Sequence, residues 1–94
     1  MSALSGETHV AVIGAGAMGA GIAQVAAQAG HPVMLYDTRP GAAAEGLAGI
    51  DRQLSRLVEK GRLQAAEHAA ICNRLRPVGS LEGLADAGLV IEAI

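Results

Sequence analysis

Aromatic side chains are nearly missing from this sequence: Tyr36 is the only one in 94 residues, and there is no Trp or Phe. The core must therefore be built from Ala, Val, Leu and Ile, and few side chains can stack on a ring or a base. Cysteine is almost as scarce. Cys72 alone excludes an intrachain disulfide or a cysteine-rich metal centre and suits a reducing compartment. Strong charge is lacking too. A net charge of -2, with the 7 Lys and Arg spread from Arg39 to Arg76, leaves no basic patch to track a phosphodiester backbone, so nucleic acid is not expected as a partner. The stretch Met1 to His9 has neither the basic region and apolar run of a secretory signal nor the arginines of a transit peptide, which points to the cytoplasm. Val10 to Gly30 is uncharged over about the length of a membrane span. Its glycines are poor helix formers and no Lys or Arg flanks it, so a membrane partner is not expected either.

What is present is apolar periodicity, enough for one small domain. His9 to Ile13 reads as a strand buried on both faces, because it does not alternate with polar residues. From Ala17 to Ala29, Met18, Ile22, Val25 and Ala29 recur at helical spacing and predict the buried stripe of a helix that Gly30 terminates. Pro32 to Asp37 reads as a second strand, completing a βαβ unit. Pro40 then suits the first position of a long helix to about Lys60, with Leu47, Ile50, Leu54, Leu57 and Val58 inward. After Gly61 a further helix is expected from Leu63 to Leu75, with Ala66, Ala70 and Leu75 as its apolar face, closed by Arg74-Leu-Arg-Pro77. A short strand from Val78, a short helix from Leu81 to Ala85 and a strand from Leu89 to Ile94 complete the chain.

Function is concentrated in Gly14-Ala-Gly16-Ala-Met-Gly19. In this GxGxxG pattern the first glycine permits a tight turn, the second lets backbone approach a pyrophosphate, and the third lets the helix lie close on the strand. The pattern is weak alone in so glycine-rich a chain. Here it follows a strand, opens a helix and is answered by Asp37 at the end of the next strand, where a carboxylate accepts from the adenosine ribose hydroxyls. The backbone of Gly14, Ala15, Gly16, Ala17, Met18 and Gly19 is thus expected to cradle the pyrophosphate at the positive end of the helix. Asp37 would repel a ribose 2'-phosphate, so NAD is expected rather than NADP; Arg39, able to embrace that phosphate, is the counter-signal. The glycines would equally serve a close helix-strand contact alone, and Asp37 would equally cap the helix near Pro40. The fold expected is an α/β Rossmann-type parallel sheet, the amino-terminal part of a larger doubly wound domain, with residues 1–94 as one nucleotide-binding unit.

The stretches Val10 to Gln24 and Gly30 to Asp37, with Leu57-Val-Glu-Lys-Gly-Arg-Leu63 and Leu89-Val-Ile-Glu-Ala-Ile94, resemble the amino-terminal domain of the 3-hydroxyacyl-CoA dehydrogenases. In agreement, the segment from about 40 to 76 is far longer than a single crossover helix requires. The resemblance implies that this helical pair lies beside the cofactor cleft, that Lys60 contacts coenzyme A, that Gln53 stands where some relatives have a CoA-touching serine, and that the Ala93 backbone borders the nicotinamide half. It also implies a catalytic histidine and glutamate beyond this chain, an acyl-CoA substrate, and an oligomer formed through a further domain. Ending on apolar Ile94 in or just after a strand, the chain reads as part of a longer protein. A non-catalytic NAD-binding or redox-sensing module, and a related 3-hydroxy acid dehydrogenase, are the alternatives. His9, His31 and His68 show no acidic partner at a catalytic or metal-ligand spacing and are expected to be structural, with no metal bound.

Overall fold

A computed structural model describes residues 8–94, so the leaderless start expected at Met1 to His9 falls almost wholly outside the described residues. The elements run β1 (Val10–Ile13), α1 (Ala17–Gln28), β2 (Val33–Tyr36), α2 (Ala42–Glu59), α3 (Ala65–Arg74), β3 (Leu75–Pro77), a short 3-10 helix (Leu81–Leu84) and β4 (Leu89–Glu92). All four strands are parallel, in the order β3-β2-β1-β4. The chain steps outward from β1 to β2 and β3, then crosses back to place β4 on the far side of β1. That reversal is a topological switch point, where an α/β sheet opens a ligand crevice at the carboxyl ends of its strands. The expected Rossmann-type α/β parallel sheet is present.

Alternation along the strands divides the core. Val10, Val12, Val33 and Leu35 face one side, against Ala23 and Ala27 of α1, Ile50 and Leu54 of α2, and Ile71 of α3. Ala11 and Met34 face the other, where, among the described residues, Leu84 and a few half-buried neighbours cover them. Leu35 and Leu54 are fully enclosed, and burial of each contributes about 1.5–3 kcal/mol. Among the described residues no helix is long and apolar enough to cross a membrane.

The structure corrects several expectations. Met18 and Val25 of α1 are exposed, and Gly19, Ala23 and Ala27 are the residues turned inward. A stripe of small side chains lets α1 settle close to the sheet, and that proximity outweighs the larger transfer energy of Met or Val. Ile71, not Ala66 or Ala70, is the buried residue of α3. Helix α2 starts at Ala42 rather than Pro40, because Gly41 (φ 77°) interposes a left-handed residue. Helix α3 ends at Arg74 and β3 starts at Leu75, before Val78: the bias of Pro77 against helical geometry in its predecessor already makes this segment extended. Pro77 lies on an edge strand, where its missing N–H costs nothing.

Helices α1 and α2 stop in the same way. His31 and Gly30 donate to Ala26 and Ala27, and Arg62 and Gly61 donate to Leu57 and Val58, each set forming a Schellman motif around a glycine of positive φ. The second motif folds α3 back along α2. Asp51 is thereby brought to His68, which it meets at 2.6 Å, so the expectation that His68 has no acidic partner was wrong. Seventeen residues of separation in sequence concealed a pair that the hairpin makes adjacent. Across the core, the Arg74 guanidinium donates to the Ala27 carbonyl (2.8 Å), placing a cation at the negative end of α1.

Leu54→Ala is expected to lower the unfolding free energy by about 2–5 kcal/mol in a denaturant titration. Val25→Ala, outward despite its helical spacing, is expected to change it by about 0.5 kcal/mol or less.

Candidate functional site

The carboxyl ends of β1, β2 and β4 converge on the glycine turn. Gly14, the first residue past β1, has φ 108°, and a side chain there would come within 2.7 Å of the Ala93 carbonyl oxygen. Both the backbone conformation and the neighbouring strand thus require glycine. Gly19 lies directly over this turn: an added Cβ would overlap the Gly14 carbonyl. Gly16 differs, having open space around its Cβ position, so a ligand can approach the backbone there unobstructed. It is also the N-cap of α1, and no side chain caps the helix. The first-turn amides of Ala17, Met18 and Gly19 have no partner within the helix and lie at its positive end.

The Asp37 carboxylate is held from three sides. The Ala15 amide donates to Oδ2 at 2.7 Å, the Arg39 amide donates to Oδ1 at 2.8 Å, and the Arg39 guanidinium spans both oxygens at 3.1 and 3.0 Å. The guanidinium, then the Ala15 amide, then the Arg39 amide stabilise the charged form, so the carboxyl titrates well below the usual range. Only 7% of the Asp37 side chain is exposed, whereas Arg39 is 68% exposed. Asp37 therefore presents a fixed negative edge and does not cap α2, whose N-cap is Gly41 without a side-chain bond. Of the turn amides expected to face a phosphate, that of Ala15 is taken by Asp37.

Ala93 closes the other wall. Its amide donates to the Ile13 carbonyl at 2.8 Å, and with Gly14, Gly16, Asp37, Arg39 and Ile94 it lines a crevice at the sheet edge. Glu92, its neighbour, is exposed at the end of β4. The structure thus brings the glycine turn, Asp37 and Ala93 together. Gln53 lines an adjoining cleft between α1 and α2 with Gln24 and Arg39. Lys60, the exposed C-cap of α2, lies outside that lining.

Gly46 was missed in the sequence. It stands where α2 crosses the glycine turn, and an added Cβ would lie 3.1 Å from the Ala15 carbonyl and 3.2 Å from Leu35. The available signal was a glycine inside a helix, a position that costs about 1 kcal/mol relative to Ala unless close packing offsets it. The second role of Arg39, as clamp on Asp37, is likewise a three-dimensional fact that the sequence order only hinted at.

Because the folded-state pKa of Asp37 lies below its unfolded value, the ionised carboxylate stabilises the fold above about pH 4, and that contribution is lost as pH falls. Asp37→Asn is expected to be less stable than the parent at pH 7, with the difference shrinking in acid. Thermal melts from pH 7 to pH 3 check it; a gap that widens in acid would contradict the assigned charge state.

Comparison with known proteins agrees with this geometry. The profile described as "3-hydroxyacyl-CoA dehydrogenase, NAD binding domain" matches residues 9–94. The 3-hydroxyadipyl-CoA dehydrogenase of Escherichia coli (strain K12) is 49% identical over 84 residues, which span 89% of this chain and 18% of that protein. A probable 3-hydroxybutyryl-CoA dehydrogenase of Bacillus subtilis (strain 168) is 46% identical over 86 residues, 92% of this chain and 30% of its own. Among solved structures, 3-hydroxybutyryl-CoA dehydrogenase from Escherichia coli K12 superposes with a TM-score of 0.88 at 47% identity, covering 95% of this chain and 19% of that one. The chain therefore spans less than a third of the length of these relatives. With a glycine turn at the switch point, a clamped acidic residue on the next strand and a family match along almost its whole length, this chain belongs to the 3-hydroxyacyl-CoA dehydrogenases, and the part of the family fold it carries is the NAD-binding domain.

Proposed function

We propose that this chain holds NAD in an enzyme that oxidises an L-3-hydroxyacyl-CoA to the 3-oxoacyl-CoA, with the proton-accepting residues supplied from outside these 94. The observation that carries the proposal is the pairing of an open Gly16 backbone with a clamped Asp37 at the switch point. A pyrophosphate would rest against Gly16 and the amides of Ala17, Met18 and Gly19, beside the turn made by Gly14 and Ala15. Asp37 would accept from the adenosine ribose hydroxyls, and the Ala93 backbone would border the nicotinamide half. When bound, NAD supplies the acceptor for the hydride leaving the hydroxyl-bearing carbon.

Residues 1–94 are assigned as a single NAD-binding unit in which α2 and α3 form an inserted pair. Gly46, Gln53 and Lys60 recur every seven residues and so follow one face of α2, spaced two turns or about 10 Å apart. The stripe leads from the glycine turn past the cleft to the helix end. Gln53 and Lys60 are proposed to meet coenzyme A along it, Lys60 as a flexible cation for its phosphates. The free thiol of Cys72 supports a cytoplasmic setting, and the weak charge supports a partner set of acyl-CoA and further subunits, without nucleic acid or membrane.

Calorimetry with NADH and NADPH tests the cofactor site. NADH is expected to bind more tightly, with Asp37→Ala narrowing the ratio; equal affinities in the parent chain would reject the role of Asp37. In the full-length protein, Lys60→Ala is expected to raise KM for acetoacetyl-CoA roughly two- to fivefold, the range of an exposed ion pair, and to leave NADH affinity alone. An unchanged KM would return Lys60 to a solvated role.

A further inference from the structure

Where α3 folds back on α2, three donor atoms of different kinds meet. His68 and Cys72 are four residues apart on α3 and share a face, and Asp51 reaches them from α2. Asp51 Oδ1 lies 2.6 Å from His68 Nε2 and 3.5 Å from Cys72 Sγ, and all three donor atoms fall within 4.8 Å of one another. Leu47 and Leu75 flank Asp51 and Cys72 on the apolar side of the group. Asp51 is two positions from Gln53, so the cluster occupies the opposite side of α2 from the nucleotide cleft.

We propose that Asp51, His68 and Cys72 form a binding site for a divalent cation of the zinc class, with water completing the coordination. The donor set is the main reason. A thiolate and an imidazole select a borderline-soft ion over Mg2+ or Ca2+, and a carboxylate together with a single sulfur disfavours Cu+. Geometry agrees. Tetrahedral zinc with bonds of about 2.0–2.3 Å separates its ligands by roughly 3.3–3.7 Å, close to the Asp51–Cys72 distance already present. The histidine–carboxylate contact must open by a little under an ångström. The Asp51 side chain is 61% exposed and free to swing, while His68 is the more enclosed partner at 21%.

Ligation by Cys72 requires its thiol to lose a proton. Hydrogen bonds from His68 and then from Cys72 favour ionised Asp51, whereas burial and then the Asp51 contact hold the Cys72 thiol protonated. On metal binding the thiol proton leaves to solvent and the sulfur takes the cation, which reverses the local preference. The site ties α2 to α3 independently of the nucleotide, so it acts as a clip on the hairpin.

Titration of the reduced full chain with Co2+ tests the site, because a cysteine ligand produces a thiolate-to-cobalt charge-transfer band that Zn2+ then abolishes by displacement. The band, one equivalent of metal and a higher melting temperature with Zn2+ are expected. Loss of an outer-shell partner alone lowers metal affinity about 10–100-fold, so Cys72→Ser and His68→Gln should each weaken Zn2+ by roughly a hundredfold or more, the former also removing the band. His31→Gln, remote from the cluster, should keep it. Absence of the band in the parent chain, or unchanged Zn2+ affinity in both cluster variants, would overturn the assignment.

Discussion

The contact between Gly19 and the Gly14 carbonyl sets the rest of the architecture. Two segments of backbone meet there without any side chain between them. Because α1 lies down on the turn that precedes it, its first-turn amides open at the carboxyl edge of β1, beside the switch between β1 and β4. The same approach places Ala23 and Ala27 against the sheet and leaves room for α2 to cross over Ala15 at Gly46. An anion-binding terminus and a tightly layered core are thus two results of one steric condition. Widening the gap by a single methyl group would disturb both.

Asp37 couples that turn to the second strand. Its bond to the Ala15 amide crosses from β2 to the loop after β1, and Arg39 closes the carboxylate from the outside. The recognition group is consequently oriented before any ligand arrives, and little conformational freedom remains to be lost on binding. Arg39, whose position suggested a rival preference for a 2'-phosphate, is engaged with the acid it was weighed against. Its charge orients Asp37 and offsets part of the negative potential there.

Much of this was legible in the sequence, because local steric rules write themselves into residue type. Glycines at 14, 16 and 19 followed by an acid after the next β-rich run specify a turn, a helix start and a strand end within one short stretch. The inward face of α1 was misread, since periodicity rewards the largest apolar residues while the sheet selected the smallest. The Asp51–His68 pair was invisible for another reason. Its partners sit on separate helices, and only the register of the hairpin, fixed by the turn at Gly61, makes them neighbours. Gly46 was concealed similarly: its meaning comes from what passes over it.

The two margins of the sheet are chemically unequal. On the β3 side, Arg76 and Pro77 supply a charge and a residue with no N–H, both of which discourage another strand from pairing. On the β4 side, Leu89 remains exposed beside the outward Met18 and Val25 of α1, and Val90 is exposed on the opposite face of the sheet. Extension of this sheet therefore has a direction. A further strand would meet a missing N–H and a charge along β3 but apolar side chains along β4, so the two borders offer a neighbouring strand unequal terms.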